Sequence, residues 1–362
     1  MNSLLYLVFL HTIGFSQKAL SRLFEKKTHY QEFYENIDQL TLEQLWYKAD
    51  KISAILTAKE KLDIAKITHV IEALQVKIVT IWDVEYPELL RQVPISPYFL
   101  YIRGTPPSHT NLLSVVGSRK STPYSRATLS EILPEIIQKW YGIVSWGAYG
   151  VDSLGHKITI EHGGYTLAVF WTGIDRCYPQ ENKDLFNEIL KSGWALISAF
   201  PIGMWPEPYN FPIRNEIVAG ISRWTLVTEA AEKSGTLITA GLALDFGRDV
   251  FAFPGDITKK TSIGTNVLIR DGQAKLVIQA IDILSEYETM TVIDNNISLV
   301  IPKKFDDPIE QALYELLWEG SRTISSIEDV LDIDVATIAF KLSMMEVCGV
   351  IKMEMDGSYS IR

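Results

Sequence analysis

The hydrophobic positions change rhythm along the chain. Up to about residue 72 they recur at helical spacing, in runs at Leu4–Leu10, Ala19–Phe24, Asp38–Leu45 and Lys48–Leu56. The first two runs are joined by Thr12-Ile13-Gly14-Phe15-Ser16, the outline of a helix-hairpin-helix or SAM-like unit. Such a hairpin either offers backbone N–H groups to a DNA phosphate or simply packs. From residue 73 short unbroken apolar runs take over. Val76–Ile81 and Tyr98–Ile102 read as strands, and then strands and helices alternate. Strands are expected at Leu113–Val116, Ile143–Ser145, Thr166–Phe170, Ala195–Ser198, Thr225–Val227, Val250–Phe253 and Lys275–Val277. Helices are expected from Pro123, Val151, Glu181 and Thr236, and near Arg214–Ile221 and Asn266–Arg270. Continuous Val/Ile/Leu strands belong to a parallel sheet covered on both faces. The pattern therefore predicts an α/β chain with an extended, doubly wound, Rossmann-like and mainly parallel sheet.

The rhythm breaks again at Met290–Lys304, a linker with a turn at Asn295-Asn296 and a break at Pro302. Helices follow at Pro308–Leu317, Ile324–Leu331 and Val335–Val347, then two short strands around Asp356-Gly357. That order predicts a winged helix, with Asp334 capping its third helix. The expected organisation is a helical domain over 1–72, a Rossmann-like domain over 73–290, a linker over 291–304 and a winged-helix-like domain over 305–362.

Ligands on a doubly wound sheet sit at the C-terminal ends of its strands. The glycines and polar residues of this chain concentrate there. Gly117-Ser118-Arg119-Lys120 follows one strand, Gly147-Ala148-Tyr149-Gly150-Val151-Asp152 the next, and Thr172-Gly173-Ile174-Asp175 a third. Phe211-Pro212-Ile213-Arg214-Asn215 opens a helix after the fourth. Glu229 through Lys233-Ser234-Gly235-Thr236 follows the fifth, and Pro254-Gly255 the sixth. A strand that ends in glycine and turns into a helix makes an anion site, because the helix N-terminus offers unpaired N–H groups and a partial positive charge. Arg119 adds a planar fork suited to phosphate. One such turn is weak evidence; six on one rim are stronger, since turns require glycine but not converging Arg, Asn, Lys, Ser and Thr.

Composition adds limits. The 362 residues allow two or three domains, and 47% hydrophobic with 22% charged residues is ordinary for a globular chain. Cys177 and Cys348 make no disulfide framework and lack ligand neighbours, which fits a reducing cytoplasm and no metal. Leu4–Leu10 is too short to span a membrane and has no basic stretch before it. The net charge of −10 argues against nucleic acid until its distribution is read. Residues 305–362 hold four Lys/Arg and twelve Asp/Glu, a local −8, which leaves the remainder at −2. A basic site on the sheet is compatible with that balance.

The ordered motifs now carry a resemblance. Val116-Gly117-Ser118-Arg119 with Thr122-Pro123-Tyr124, Gly150-Val151-Asp152 with His156, Tyr178-Pro179 with Asn182, and Asn210-Phe211-Pro212-Ile213-Arg214-Asn215 resemble the DNA-processing protein A (Smf) family. The likeness continues through Glu229 to Ala240, Gly247-Arg248, Pro254-Gly255, Gly264-Thr265-Asn266 and Leu268 to Gly272, more than half of the chain. It implies a homodimeric, non-enzymatic protein without a cofactor. That protein would protect single-stranded DNA and load a RecA-type recombinase onto it in natural transformation and recombination. The DNA-binding candidates are Gly117, Ser118, Arg119, Lys120, Gly147, Phe211, Arg214, Asn215, Lys233, Ser234, Gly235 and Thr236. Arg119, Arg214 and Lys233 would take phosphates, and Phe211 would stack a base. The plain alternatives are core packing for Phe211, an Arg214–Glu229 ion pair locking the rim, and helix capping for Asp152.

The chain departs from the family at several cations. Tyr149, Glu216 and Gly241 stand where the family carries arginine, and Glu207 where it carries a basic residue. Weaker DNA binding than the family norm is expected. In the C-terminal domain the third helix offers only Lys341 to a DNA groove, so a protein contact suits it better. A different class of function, a Rossmann-type nucleotide phosphoribohydrolase of the lysine-decarboxylase-like family, shares the strand-Gly-Ser start and a late Gly-Thr. Its glutamate one turn into the late helix is missing, with Ala240 near that place.

The nine tryptophans are oddly placed. Trp140, Trp146, Trp171 and Trp194 lie at strand ends, tight turns and helix ends, where glycine is the natural residue. The resemblance implies glycine or another small residue at several of these, Trp146 most plainly. The expectation is a gene in which most or all nine tryptophan codons are UGA read as glycine, with glycine at positions 140, 146, 171 and 194 of the natural protein, while Trp46, Trp82 and Trp224 read as ordinary core tryptophans.

Overall fold

In the computed structural model the described residues are 3–25, 29–106, 111–139, 141–286, 305, 307–318, 322–331, 333–347, 350–353 and 357–361. The expected linker over 291–304, Trp140, Cys348 and Asp356 lie outside them. The chain divides into two compact units, Met1–Glu286 and Tyr287–Arg362.

The first unit begins with six helices: α1 (Ser3–Thr12), α2 (Gln17–Glu25), α3 (Tyr30–Glu35), α4 (Gln39–Gln44), α5 (Ala49–Lys61) and α6 (Ile64–Ala73). Two of them, α3 and α6, went unread in the sequence. Asp38 and Asp63 cap α4 and α6 by accepting the Thr41 and Lys66 N–H groups. The expected boundary at residue 72 does not divide the packing. Leu7, Phe9, Phe15 and Tyr34 share one core with Phe99, Tyr101, Phe170 and Leu196 of the sheet.

That sheet has nine strands: β1 (Lys77–Thr80), β2 (Phe99–Gly104), β3 (Leu112–Val116), β4 (Gly142–Ser145), β5 (Thr166–Phe170), β6 (Ala195–Ser198), β7 (Trp224–Val227), β8 (Asp249–Ala252) and β9 (Lys275–Leu276). Their order is β1-β2-β6-β5-β4-β3-β7-β8-β9. The seven from β6 to β9 run parallel, while β2 pairs antiparallel with β6 and β1 with β2. Strands β3 to β6 are fully buried, which is why they read as continuous apolar runs. The helices between them are α7 (Glu88–Arg91), α8 (Pro123–Gln138), α9 (Val151–Glu161), α10 (Lys183–Lys191), α11 (Asn210–Ile221), α12 (Gly235–Asp245) and α13 (Ile263–Arg270).

This order places the site. The chain winds from β3 outward through β4, β5 and β6, then returns to lay β7 on the other side of β3. Loops leaving β3 and β7 diverge, and a crevice opens between them at the switch point.

The second unit contains α14 (Pro308–Trp318), α15 (Ile324–Leu331), α16 (Val335–Val347) and an antiparallel ribbon of β10 (Ile351–Met353) and β11 (Tyr359–Ile361), with Arg322 bridging Tyr359. Leu313, Ile327, Ile338, Leu342 and Ile351 form its own core. Asp334 accepts the Thr337 N–H at the start of α16, as its position implied. Among the described residues no helix is long and apolar enough to cross a membrane.

Candidate nucleic-acid interface

The loop from β3 to α8 passes under its neighbours at Gly117. A Cβ there would lie 2.3 Å from the Thr228 hydroxyl and 2.8 Å from Val151, so only glycine allows the approach. The Gly117 carbonyl accepts the Thr236 hydroxyl of α12, tying the β3 loop to that helix. Gly150 has φ +78°, and a Cβ on it would strike the backbone of Ser118 and Arg119. Its neighbour Val151 donates its N–H to the Ser118 carbonyl. The Ser118 hydroxyl closes a local turn with Lys120, accepting its N–H and donating to its carbonyl. The loop ends at Thr122, which caps α8 by accepting the Ser125 N–H.

A pocket of about 280 Å³ opens where these loops diverge. Gly117, Ser118, Arg119, Phe211, Arg214, Asn215, Ser234, Gly235 and Thr236 line it, together with Trp146, Ala231 and Thr261. Nine of the twelve candidates are thus brought together. Lys120 and Lys233 are exposed outside this lining, and Gly147 is buried against the Phe186 ring. Ala231 and Thr261 were not singled out in the sequence, although both lie in loops of the same rim.

Arg214 is the unusual residue. It lies in the second turn of α11, which starts at Asn210 because the Asn210 amide donates to the Trp171 carbonyl at the end of β5. Pro212 fits that first turn, where its missing N–H costs nothing. Arg214 is only 2% exposed. Its guanidinium sits 4.1 Å from the Trp146 ring centroid, 4.7 Å from Phe211 and 5.8 Å from Trp171. One N–H donates to the Asn215 amide oxygen at 3.2 Å, and its buried Nε has no hydrogen-bond partner. Burial pulls its pKa down to about 9, opposed by the charge of Asp152.

Asp152 is likewise buried, and burial pushes its carboxyl up to about 6 against the pull of Arg214, the Ala148 N–H and the Ser145 hydroxyl. It caps the loop rather than its own helix, since it accepts the Ala148 N–H while α9 starts at Val151 with Gly150 as its N-cap. The Arg214–Glu229 pair considered above is not what the site contains. Glu229 accepts the Thr122 hydroxyl at 2.8 Å and the Thr122 N–H at 3.3 Å, and so anchors the β3 loop from β7.

Arg119 is exposed, with its guanidinium 5.4 Å from the Phe211 centroid. Phe211 is half-buried between the two arginines and rests on Trp171 at 4.1 Å. It therefore combines core packing with an edge on the pocket. None of the cation losses noted in the sequence falls within this lining. Tyr149 is exposed and hydrogen-bonded to Glu181, Glu207 is exposed, and Glu216 is half-buried with its carboxyl raised by burial.

The lining holds two arginines, the aromatic side chains of Phe211 and Trp146, the open start of α12, and no carboxylate. It can hold an anion with an aromatic or heterocyclic group beside it. The geometry offers no support to a phosphoribohydrolase, which needs an acid facing the sugar. Among the described residues no cluster of His, Cys, Asp and Glu is suited to a metal ion.

The chain is similar to known proteins over the segment that holds this pocket. The family model for DNA recombination-mediator protein A matches residues 77–288. The protein Smf of Synechocystis sp. is 35% identical over 217 residues, 59% of this chain and 54% of that protein, so the chain spans about half of that relative's length. The DNA processing protein DprA of Streptococcus pneumoniae is 36% identical over 214 residues, 58% of this chain and 73% of that protein. The crystal structure of DNA processing protein A from Streptococcus pneumoniae superposes with a TM-score of 0.65 at 29% identity, over 79% of this chain and 99% of that one. A structure of the Helicobacter pylori protein, solved for its single-stranded DNA binding mode, shares the fold with a TM-score of 0.52 at 24% identity, over 60% of this chain and 97% of that one. The matched span contains every residue of the pocket and more than half of the chain, and the protein belongs to the DNA recombination-mediator protein A family.

Proposed function

We propose that this protein binds single-stranded DNA at the β3–β7 crevice, without catalysis, and presents it as a homodimer to a RecA-type recombinase in the cytoplasm. The observation that carries the reading is the buried Arg214, its Nε unsatisfied, in a pocket shared with Arg119 and free of carboxylates. A cation so placed gains from an anion more than a surface cation does, because the surroundings screen it little. The half-buried Phe211 gives an adjacent base a face or edge to rest on, which a duplex with stacked bases does not offer. Single-stranded DNA supplies both groups in one nucleotide. The relatives called DNA processing proteins, and a protein of the same fold that binds single-stranded DNA, support this choice of ligand. The test is fluorescence anisotropy with labelled single-stranded and duplex oligonucleotides, where preference for the single strand is expected. Release of free base from nucleoside monophosphates would overturn the non-enzymatic part.

The acidic residues at 207 and 216, where the family carries cations, make a quantitative expectation. Replacing Glu207 with Lys and Glu216 with Arg should tighten binding and steepen its salt dependence by about one unit of log–log slope per added phosphate contact. An unchanged slope would place the groove elsewhere.

The C-terminal unit is read as a winged helix that takes no part in DNA binding. Lys341, the cation that α16 offers, is held by Asp307 and by Glu310, the latter at 3.0 Å. It is thereby neutralised within its own unit. Deleting residues 305–362 should leave single-stranded DNA affinity within about twofold, since acidic residues lose more than they contribute beside a polyanion. A tenfold loss would show that the unit contacts DNA.

A further inference from the structure

One tryptophan, Trp46, occupies a place built for glycine, and two others, Trp146 and Trp171, crowd the DNA site. Trp46 is the clearest case of geometry. It follows α4 at φ +63°, donates its N–H to the Glu43 carbonyl at 2.9 Å, and is followed by Tyr47 donating to the Leu42 carbonyl at 3.2 Å. Those two bonds close a helix through a left-handed residue, where glycine carries no Cβ penalty and a bulky side chain does. The Trp46 indole is 93% exposed, so no packing offsets that strain. Gln75 ends α6 in the same conformation, but its polar, flexible side chain is at home in water. An indole gains nothing there.

Trp146 lies immediately after β4 and before Gly147, itself at φ +67°. Its indole is 6% exposed, yet the Nε1 N–H it buries has no acceptor. Core tryptophans normally find one. The ring lies over the Arg214 guanidinium and forms part of the pocket wall. Trp171, immediately after β5, rests on Phe211 with centroids 4.1 Å apart. Together these indoles occupy the two surfaces that a nucleotide needs: the face of the buried cation and a face of the aromatic platform.

We propose that positions 46, 146 and 171 are glycine in the protein its host makes, encoded by UGA codons read there as glycine. The native crevice is then deeper than the tryptophan form, with Arg214 open to a phosphate and Phe211 open to a base. The second half of the inference rests on the single-stranded DNA reading; the first does not. Glycine at 146 also removes the orphaned N–H, and glycine at 46 removes the strain after α4.

Reading the gene tests the coding claim, and UGA at codons 46, 146 and 171 is the expected result. UGG at Trp46 and Trp146 would overturn it. Mass spectrometry of protein isolated from the host gives a second readout, since the peptide spanning 143–157 must be lighter by one exchange of an indolylmethyl group for hydrogen. The site claim is tested with the Trp146→Gly/Trp171→Gly variant in the full chain, using a labelled oligothymidine. Its affinity should rise on the order of tenfold, the worth of about one freed stacking contact. UGA codons with unchanged affinity would keep the glycine assignment and overturn the claim that the indoles cover the DNA site. Loss of all oligothymidine binding by both forms would instead count against the DNA reading itself.

Discussion

Arg119→Glu should weaken single-stranded DNA binding roughly a hundredfold, about 3 kcal/mol, while leaving the melting temperature unchanged. The side chain is exposed at the mouth of the pocket, and among the described residues it makes no ion pair. Its charge is therefore available to a phosphate. Reversal removes one charge-assisted hydrogen bond, worth about 1.5–3 kcal/mol, and adds a repulsion beside the bound backbone. Stability should not change because the substituted group is solvated in both folded and unfolded states. Anisotropy titrations at fixed salt, with a parallel thermal melt, check both halves. Wild-type affinity in the variant would mean that the loop after β3 does not face the DNA.

The second large effect concerns stability. Arg214→Leu should cost about 3 kcal/mol at pH 8 and clearly less at pH 5. Arg214 and Asp152 are both buried, and removing the cation leaves the carboxylate without its compensating charge. Asp152 already titrates near 6 because of burial, above the ordinary carboxylate value. Without Arg214 its folded pKa rises further. A raised carboxyl pKa means that the folded state holds a proton the unfolded state has released. Stability then falls as pH rises from the ordinary carboxylate value toward the raised one, and is retained below both. Urea denaturation at the two pH values measures this. Adding Asp152→Asn to Arg214→Leu should recover most of the loss at pH 8. A loss of equal size at both pH values would show that Arg214 acts through packing alone.

Much of the sheet was legible because burial on both faces leaves only Val, Ile and Leu in its strands. The runs at Leu113–Val116, Thr166–Phe170 and Ala195–Ser198 correspond to β3, β5 and β6, with ends that agree within a residue. The direction of β1 and β2 was not legible, since an apolar run carries no sign of whether its neighbour is parallel. Helices α3 and α6 were missed, and α11 begins four residues before Arg214. Its start is fixed by the Asn210 bond to the Trp171 carbonyl, a contact between segments 39 residues apart in sequence.

The site was legible as a rim but not as a set of partners. Glycine positions at strand ends locate the crevice, because backbone approach leaves a mark in residue type. Charge pairing leaves none. Arg214 and Glu229 lie on one rim, yet Arg214 faces Asp152 and the aromatic rings while Glu229 holds Thr122. Lys233 follows Ala231 by two residues, and of the two Ala231 reaches the pocket.

The most direct test of the DNA-binding claim is the affinity of the full chain for a single-stranded oligonucleotide at about 50 mM and about 200 mM salt, measured beside Arg119→Glu. The structure predicts binding at the lower salt that weakens steeply at the higher, with a shallower log–log slope in the variant. Absence of binding at about 50 mM salt, or identical slopes for the two proteins, would contradict it.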